Sequence, residues 1–104
     1  MPGIDFDVVR SRVPMVEVLR LLGFVPVYRS GVQWRGPYPM HGSRSQRSRR
    51  FSVHLGKNRY RCFGCGSLGN GLELWAAANH LSVYAAALDL CRRLGISVPR
   101  KTHW

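Results

Sequence analysis

The sequence predicts an α+β fold in which a small antiparallel β-ribbon is flanked by N-terminal and C-terminal helices. Apolar residues recur at helical spacing near both ends of the chain, whereas the middle alternates as strands do and is broken by turn residues. The chain has 104 residues, the length of one small domain. We therefore expect one domain over 1–104, with a helical lead-in (1–24), a ribbon (25–66), a helical pair (70–96) and a tail (97–104).

The lead-in is expected to form two short helices. Asp5 can cap the first helix, and Val9 and Val13 lie on its inner face. Pro14 suits the first turn of the second helix because its ring fixes a helical φ, and Gly23 is a natural end.

The ribbon is predicted from two pairs of strands. Residues 27–28 and 32–35 indicate a hairpin around Gly31, and residues 51–55 and 59–63 alternate on either side of a Gly-Lys-Asn turn. Successive strand side chains face opposite sides, so one face is apolar and the other basic. The inward positions are Phe51, Val53, Leu55, Tyr60 and Cys62, and the outward ones are Arg50, Ser52, His54, Arg59 and Arg61.

Two further helices are expected after the ribbon. Asn70 and Glu73 have the spacing of a capping box, Ser82 can cap the last helix, and Gly95 can end it. The last helix is expected to place these residues inward: Val83, Ala86, Ala87, Leu90, Cys91 and Leu94. The tail has no interpretable pattern.

The charge balance points to a polyanionic partner. The chain has 16 Lys and Arg against 5 Asp and Glu, a formal net charge of +11, which favours binding to DNA or RNA. Its start lacks the charged and apolar regions of a signal peptide, and no apolar run is long enough for a membrane span. We expect a cytoplasmic protein whose 3 cysteines stay reduced, with no membrane partner.

The motif Cys62-Phe63-Gly64-Cys65-Gly66 is the sharpest chemical signal. Two thiolates in this spacing can bind one tetrahedral Zn²⁺ when glycines allow a tight turn. A thioredoxin-type redox pair is the alternative, but it belongs in a βαβ setting and here a hairpin precedes the motif. A structural zinc needs four ligands, and His41 in the preceding loop is the obvious third.

These residues resemble the CHC2-type zinc finger of the bacterial DNA primase family. That family shows Cys-Pro-x-His, a Ser-Phe-x-Val strand, Tyr-x-Cys-Phe-x-Cys-Gly and then Gly-Asn before a helix. The matching stretches here are 38–41, 51–53, 60–66 and 69–70, and the similarity covers roughly residues 4–97. The resemblance implies a zinc β-ribbon with His41, Cys62 and Cys65 as zinc ligands.

The sequence departs from the family at the first ligand, where Tyr38 replaces a cysteine. A phenol ionises only near pH ~10, so it is a poor ligand unless the metal lowers that value. Four outcomes stay open: zinc with water in the fourth position, zinc with the Tyr38 phenolate, weak zinc, or none. Cys91 falls on the inner face of its helix and is interpreted as core, not as a ligand.

The basic residues predict a nucleic-acid surface. The expected contacts are Arg35, Arg44, Arg47, Arg49, Arg50, Arg59 and Arg61 for phosphates and Phe63 for base stacking. Trp34 fits either a stacking role or the core.

The resemblance implies contact with single-stranded template DNA in primer synthesis, replication or a mobile-element context, together with a primase polymerase domain or helicase. No catalytic residue is assigned, because the acidic residues are scattered over helices and cannot assemble a two-metal polymerase site. Two alternatives remain. One is a protein-interaction ribbon with an apolar patch around Trp75, Tyr84 or Trp104, docking on a replication or transcription protein. The other is a zinc hydrolase that uses the open fourth position.

Overall fold

The computed structural model describes residues 3–37, 50–64 and 66–100, in which four helices flank one five-stranded sheet. The helices are α1 (Phe6–Arg12), α2 (Met15–Leu22), α3 (Gly71–Ala78) and α4 (Val83–Leu94). The strands are β1 (Tyr28–Ser30), β2 (Gln33–Gly36), β3 (Phe51–His54), β4 (Arg59–Cys62) and β5 (Leu68–Asn70). The predicted α+β class is confirmed.

Side-chain caps set the helix starts as the sequence predicts. Three N-cap side chains accept a backbone N–H of the first turn: Asp5 from Val8, Asn70 from Glu73 and Ser82 from Ala85. Glu73 also accepts the Asn70 N–H, which completes the capping box. Gly23 and Gly95 end α2 and α4 with φ of 72° and 68°. Pro14 is the N-cap of α2 and not part of its first turn, one position before the prediction.

The strands lie in the order β1-β2-β3-β4-β5, with every neighbouring pair antiparallel. Phe51 is opposite Cys62 and Val53 is opposite Tyr60, so these four share one face, and all four are buried. The alternation predicted for β3 and β4 is therefore confirmed. The sequence did not predict β5, because its three residues include Gly69 and show no alternation.

The core lies between this buried face and the helices. The Phe51 ring packs edge-on against Phe24, with centroids 5.2 Å apart, and against Tyr60 at 5.7 Å. Gly36 permits the first contact, because a Cβ there would lie 2.9 Å from the Phe24 ring. Most of the other large buried side chains come from the helices, with Ile4 and the α1 C-cap Val13: Val9, Met15, Val18, Leu19, Leu72, Leu74, Trp75 and Leu90.

The end of the described chain closes back on its beginning. Arg100 forms a bridge with Ile4, and the Asp5 N–H donates to the Pro99 carbonyl at 2.9 Å. Val83, predicted to face inward, is 37% exposed because it starts α4 at the rim of the core. Among the described residues, no helix is both long and apolar enough to cross a membrane.

Candidate nucleic-acid and metal site

The sheet has a second face, directed away from the buried one, which we call the open face. Strand register and alternation place ten side chains on it: Tyr28, Ser30, Gln33, Arg35, Ser52, His54, Arg59, Arg61, Leu68 and Asn70. Arg35, Ser52, Arg61 and Leu68 follow one another across four strands in a single row. Three of the predicted nucleic-acid residues, Arg35, Arg59 and Arg61, therefore share this face.

Negative charge is segregated from the open face. The chain's 5 acidic residues all belong to helices or to a helix cap. Three of them pair with arginines on their own helices: Asp7 with Arg10, Glu17 with Arg20, and Asp89 with Arg92 and Arg93. The helical arginines are thus partly neutralised, and among the described residues no acidic side chain belongs to a strand of the open face.

Phe63 follows β4 and extends the same side of the sheet. Its ring is 55% exposed and lies near two guanidinium groups, Arg61 at 4.9 Å and Arg35 at 5.2 Å from the ring centroid. Phe63, predicted for base stacking, is therefore part of a cluster of one ring and two cations. Trp34 lies on the other face, half-buried, with Arg29 4.5 Å from its ring centroid, which favours its packing interpretation.

A shallow depression of about 290 Å³ opens on the open face between β3, β4 and β5. The residues that line it are Ser52, His54, Arg59, Tyr60, Arg61 and Leu68. Ser52 and His54 were expected on the outward side of the sheet, without a predicted role. Leu68, which is 57% exposed, was not predicted as a site residue because β5 was not predicted. The position of Ser52 and His54 on this face could be predicted from the sequence, since they alternate with Phe51 and Val53.

The Cys62 thiol lies at the end of β4 and is buried, with 1% of the residue exposed. The chain then turns tightly. The Gly66 N–H donates to the Cys62 carbonyl at 2.8 Å, and the Cys62 N–H donates to the Ser67 carbonyl at 2.7 Å. Gly66 has φ of 79°, a conformation that favours glycine, and a Cβ on Gly64 would lie 3.6 Å from the Cys62 sulfur. The chain therefore turns back tightly directly after Cys62, and its glycines permit this turn.

Several predicted site residues lie outside the described residues: Tyr38, His41, Arg44, Arg47, Arg49 and Cys65. Within the described ranges, no three His, Cys, Asp or Glu side chains come together. The thiolate and imidazole donors predicted for the site are nevertheless those that Zn²⁺ prefers. Arg50 is exposed, and its carbonyl accepts the Phe63 N–H at 2.7 Å, so it adjoins the knuckle.

Cys91 and Trp75, which were also singled out in the sequence, both lie in the core. Cys91 is 1% exposed, and burial raises the pKa of its thiol although nearby Arg12 acts in the opposite direction. Trp75 is 3% exposed, so it cannot belong to an exposed apolar patch, whereas Tyr84 is 51% exposed. Trp104 lies outside the described residues.

Comparison with known proteins gives consistent matches. Residues 3–104 match the CHC2 zinc finger family. The chain is 28% identical to the DNA primase of Lactococcus lactis over 94% of its own length, and 32% identical to that of Synechocystis over 86%. It spans only 15% and 13% of those two proteins. The crystal structure of the zinc-binding and RNA polymerase domains of Aquifex aeolicus primase superposes with a TM-score of 0.69 at 26% identity, covering 99% of this chain and 23% of that one.

Proposed function

Because this chain belongs to the CHC2 zinc finger family, we propose that it is a DNA-binding zinc-ribbon module that contacts single-stranded template DNA during primer synthesis. The match covers only the zinc-binding part of primases. The carboxylates of this chain are distributed over four helical elements, so the module has no polymerase activity of its own. It acts in replication or in the replication of a mobile element.

The segregation of charge is the observation that carries this proposal. Arg35, Arg59 and Arg61 lie on one face of strands that contain no Asp or Glu, while the acidic residues belong to the helices and a helix cap. A phosphate backbone on the open face therefore meets strands that carry arginine and no acidic side chain. Arginine suits this role because its fork of donors matches phosphate oxygens.

Exposed aromatic side chains favour a single strand over a duplex. Phe63 and Tyr28 are 55% and 41% exposed at the open face, and unpaired bases can stack on such rings. A duplex keeps its bases stacked internally and offers mainly its phosphates to a flat surface.

We propose His41, Cys62 and Cys65 as the zinc ligands, with Tyr38 at the degenerate fourth position. The CHC2 family and the Aquifex zinc-binding domain imply Zn²⁺, and the buried thiol and glycine turn at Cys62 support it as one ligand. When bound, zinc supplies a structural cross-link between the knuckle and the loop. That loop carries Arg44, Arg47 and Arg49, which we propose as further phosphate contacts beside Arg50.

The proposed partners follow from the same role. A module without polymerase activity works with a separate primase polymerase domain or a helicase, in the cytoplasm where template DNA is exposed. A purely protein-binding ribbon has less support, because Trp75 of its predicted apolar patch is buried.

The test is binding of the whole chain to a fluorescent single-stranded oligonucleotide across a series of salt concentrations. Each phosphate contact contributes a slope of about −0.7 in log K against log salt for a single strand. With three open-face arginines engaged, we expect a slope of about −2 or steeper. A flat response would contradict the proposal, as would equal affinity for a duplex of the same length.

Two matched variants test whether DNA binds on the open face. Arg61→Gln should weaken binding and reduce the salt slope by about one contact. Arg12→Gln removes the same charge from the end of α1 in the helical layer and should leave the slope unchanged. Equal effects from the two variants would indicate nonspecific attraction to net charge.

A further inference from the structure

The depression on the open face has an unusual hydrogen-bonding character. Its lining combines Ser52, His54, Arg59 and Arg61 with the exposed apolar wall of Leu68 and with Tyr60, whose hydroxyl is paired with Ser67 Oγ. Arginine side chains only donate hydrogen bonds. Serine and histidine can both donate and accept, so these two residues decide what the depression offers a ligand.

Ser52 already uses its oxygen as an acceptor. The Gln33 side-chain amide donates to Ser52 Oγ at 3.4 Å from the neighbouring strand. The Ser52 hydroxyl proton is then directed elsewhere and is available to a ligand as a donor.

His54 also presents a hydrogen-bond donor to the depression. Its Nδ1 accepts the backbone N–H of Lys57 at 3.0 Å, so the proton of the neutral ring is on Nε2. The ring also lies against the turn, where a Cβ on Gly56 would be 3.3 Å from His54 Cε1. The ring nitrogen left for a ligand is therefore a donor.

From these contacts we infer that the depression is a pocket for one unstacked nucleobase, and that it selects keto bases, guanine or thymine, over amino bases, adenine or cytosine. This inference rests on the proposed single-strand binding. Ser52, His54, Arg59 and Arg61 all present donors, whereas the His54 acceptor is engaged and Ser52 Oγ keeps only one of its two lone pairs, so donors outnumber acceptors.

The base edges explain the selection. Guanine presents O6 and N7 as adjacent acceptors, and thymine presents O4 beside a methyl group that can contact Leu68. Adenine and cytosine carry an exocyclic amino group at the equivalent position, for which these side chains offer only the remaining lone pair of Ser52 Oγ. An amino donor that faces mostly other donors opposes binding.

The experiment uses oligonucleotides of about ten nucleotides that are abasic except for one central base, which is guanine, thymine, adenine or cytosine. Because the phosphates are constant, differences in affinity report base recognition alone. We expect guanine and thymine to bind roughly tenfold more tightly than adenine and cytosine. Equal affinity for all four, with the steep salt response intact, would overturn the base pocket and leave the proposed function standing. Failure of every oligonucleotide to bind would overturn both.

Three variants of the whole chain sharpen the result. Ser52→Ala removes one donor and should reduce the preference for keto bases. Leu68→Gln adds an acceptor at an exposed position and should raise adenine affinity relative to guanine, because glutamine pairs well with adenine. Ser30→Ala makes the matched change to Ser52→Ala on β1, away from the pocket, and should leave the preference unchanged. A preference that survives both pocket variants would place base selection elsewhere.

Discussion

Asn58 connects the turn between β3 and β4 to the first helix, because its side-chain Nδ2 donates to the Arg10 backbone carbonyl at 3.2 Å. The two residues are 48 positions apart in sequence. Asn58 has φ of 53°, a left-handed conformation that asparagine tolerates better than other residues with a side chain. One residue thus shapes the turn and holds the strands of the open face against the helical layer.

Substitution of Asn58 should lower the free energy of unfolding measurably. Asn58→Ala loses the hydrogen bond to Arg10 and forces alanine into a left-handed conformation, which should cost about 1–3 kcal/mol in total. Urea denaturation of both proteins measures the difference.

Asn58→Gly separates the two causes, since glycine adopts positive φ freely but cannot make the hydrogen bond. Its stability should lie between those of wild type and Asn58→Ala. If alanine is tolerated as well as asparagine, the link to Arg10 contributes nothing.

The sequence correctly predicted those features that depend on residues close together in the chain, namely the helix caps and the two faces of β3 and β4. The caps at Asp5, Asn70 and Ser82 were predictable because a side-chain oxygen before an apolar run satisfies free helical N–H groups. The two faces of β3 and β4 followed from strict alternation, which put Arg59 and Arg61 together correctly.

The features that the sequence did not predict depend on contacts between residues far apart in the chain. The strand β5 forms because its residues pair with β4 and not because of their propensity, so the Leu68 wall of the depression was unpredictable. The proximity of Phe63 to Arg35 likewise depends on the order of strands across the sheet. The hydrogen bonds that occupy acceptors of Ser52 and His54 depend on partners whose geometry no residue spacing gives.

Asp89 should make the stability of the helical pair depend on pH. Burial opposes ionisation of its carboxylate, but hydrogen bonds from Arg93, Trp75 and Arg92 outweigh this and lower its pKa. The distances are 2.9, 2.8 and 2.7 Å respectively. Since the folded-state pKa is lowered, the stabilisation is present above the unfolded value near ~3.9 and is lost as the pH falls through the folded value.

Thermal melting of wild type and Asp89→Asn across pH tests this prediction. The difference in Tm should be largest near neutral pH and should shrink below about pH 4. Trp75→Phe retains a ring near Arg93 but removes the indole donor, so it should show a smaller effect of the same sign. A Tm difference that is constant over the whole range would mean that the charge of Asp89 is not involved.

Phe63 should contribute to DNA affinity without contributing to its salt dependence. Phe63→Leu preserves apolar volume but removes the aromatic ring that lies beside Arg35 and Arg61. We expect single-strand binding to weaken by about 1–3 kcal/mol at every salt concentration, because base stacking is lost while phosphate contacts remain. Fluorescence titrations at several salt concentrations give both the affinity and the slope. A changed slope with little loss of affinity would instead mean that Phe63 only positions the two arginines.

Restoring the family's first ligand should tighten zinc binding and raise stability together. Tyr38→Cys would complete a set of three thiolates and one imidazole with Cys62, Cys65 and His41. Zinc bound only by the folded chain adds about 2.7 kcal/mol when its free concentration is a hundredfold above Kd. For a domain of this length each kcal/mol raises Tm by about 4–8 °C. Competition with a chelator and melting with and without zinc measure the two effects.

Tyr38→Phe decides what the natural residue does. If the phenolate is the fourth ligand, losing its oxygen should weaken zinc binding; if water completes the site, affinity should be unchanged. Cys91→Ala is the matched thiol control, because that buried side chain packs in the core and its removal should leave zinc affinity intact. If Tyr38→Cys binds zinc no better than wild type, position 38 does not reach the metal, and the proposed ligand set is wrong at that position.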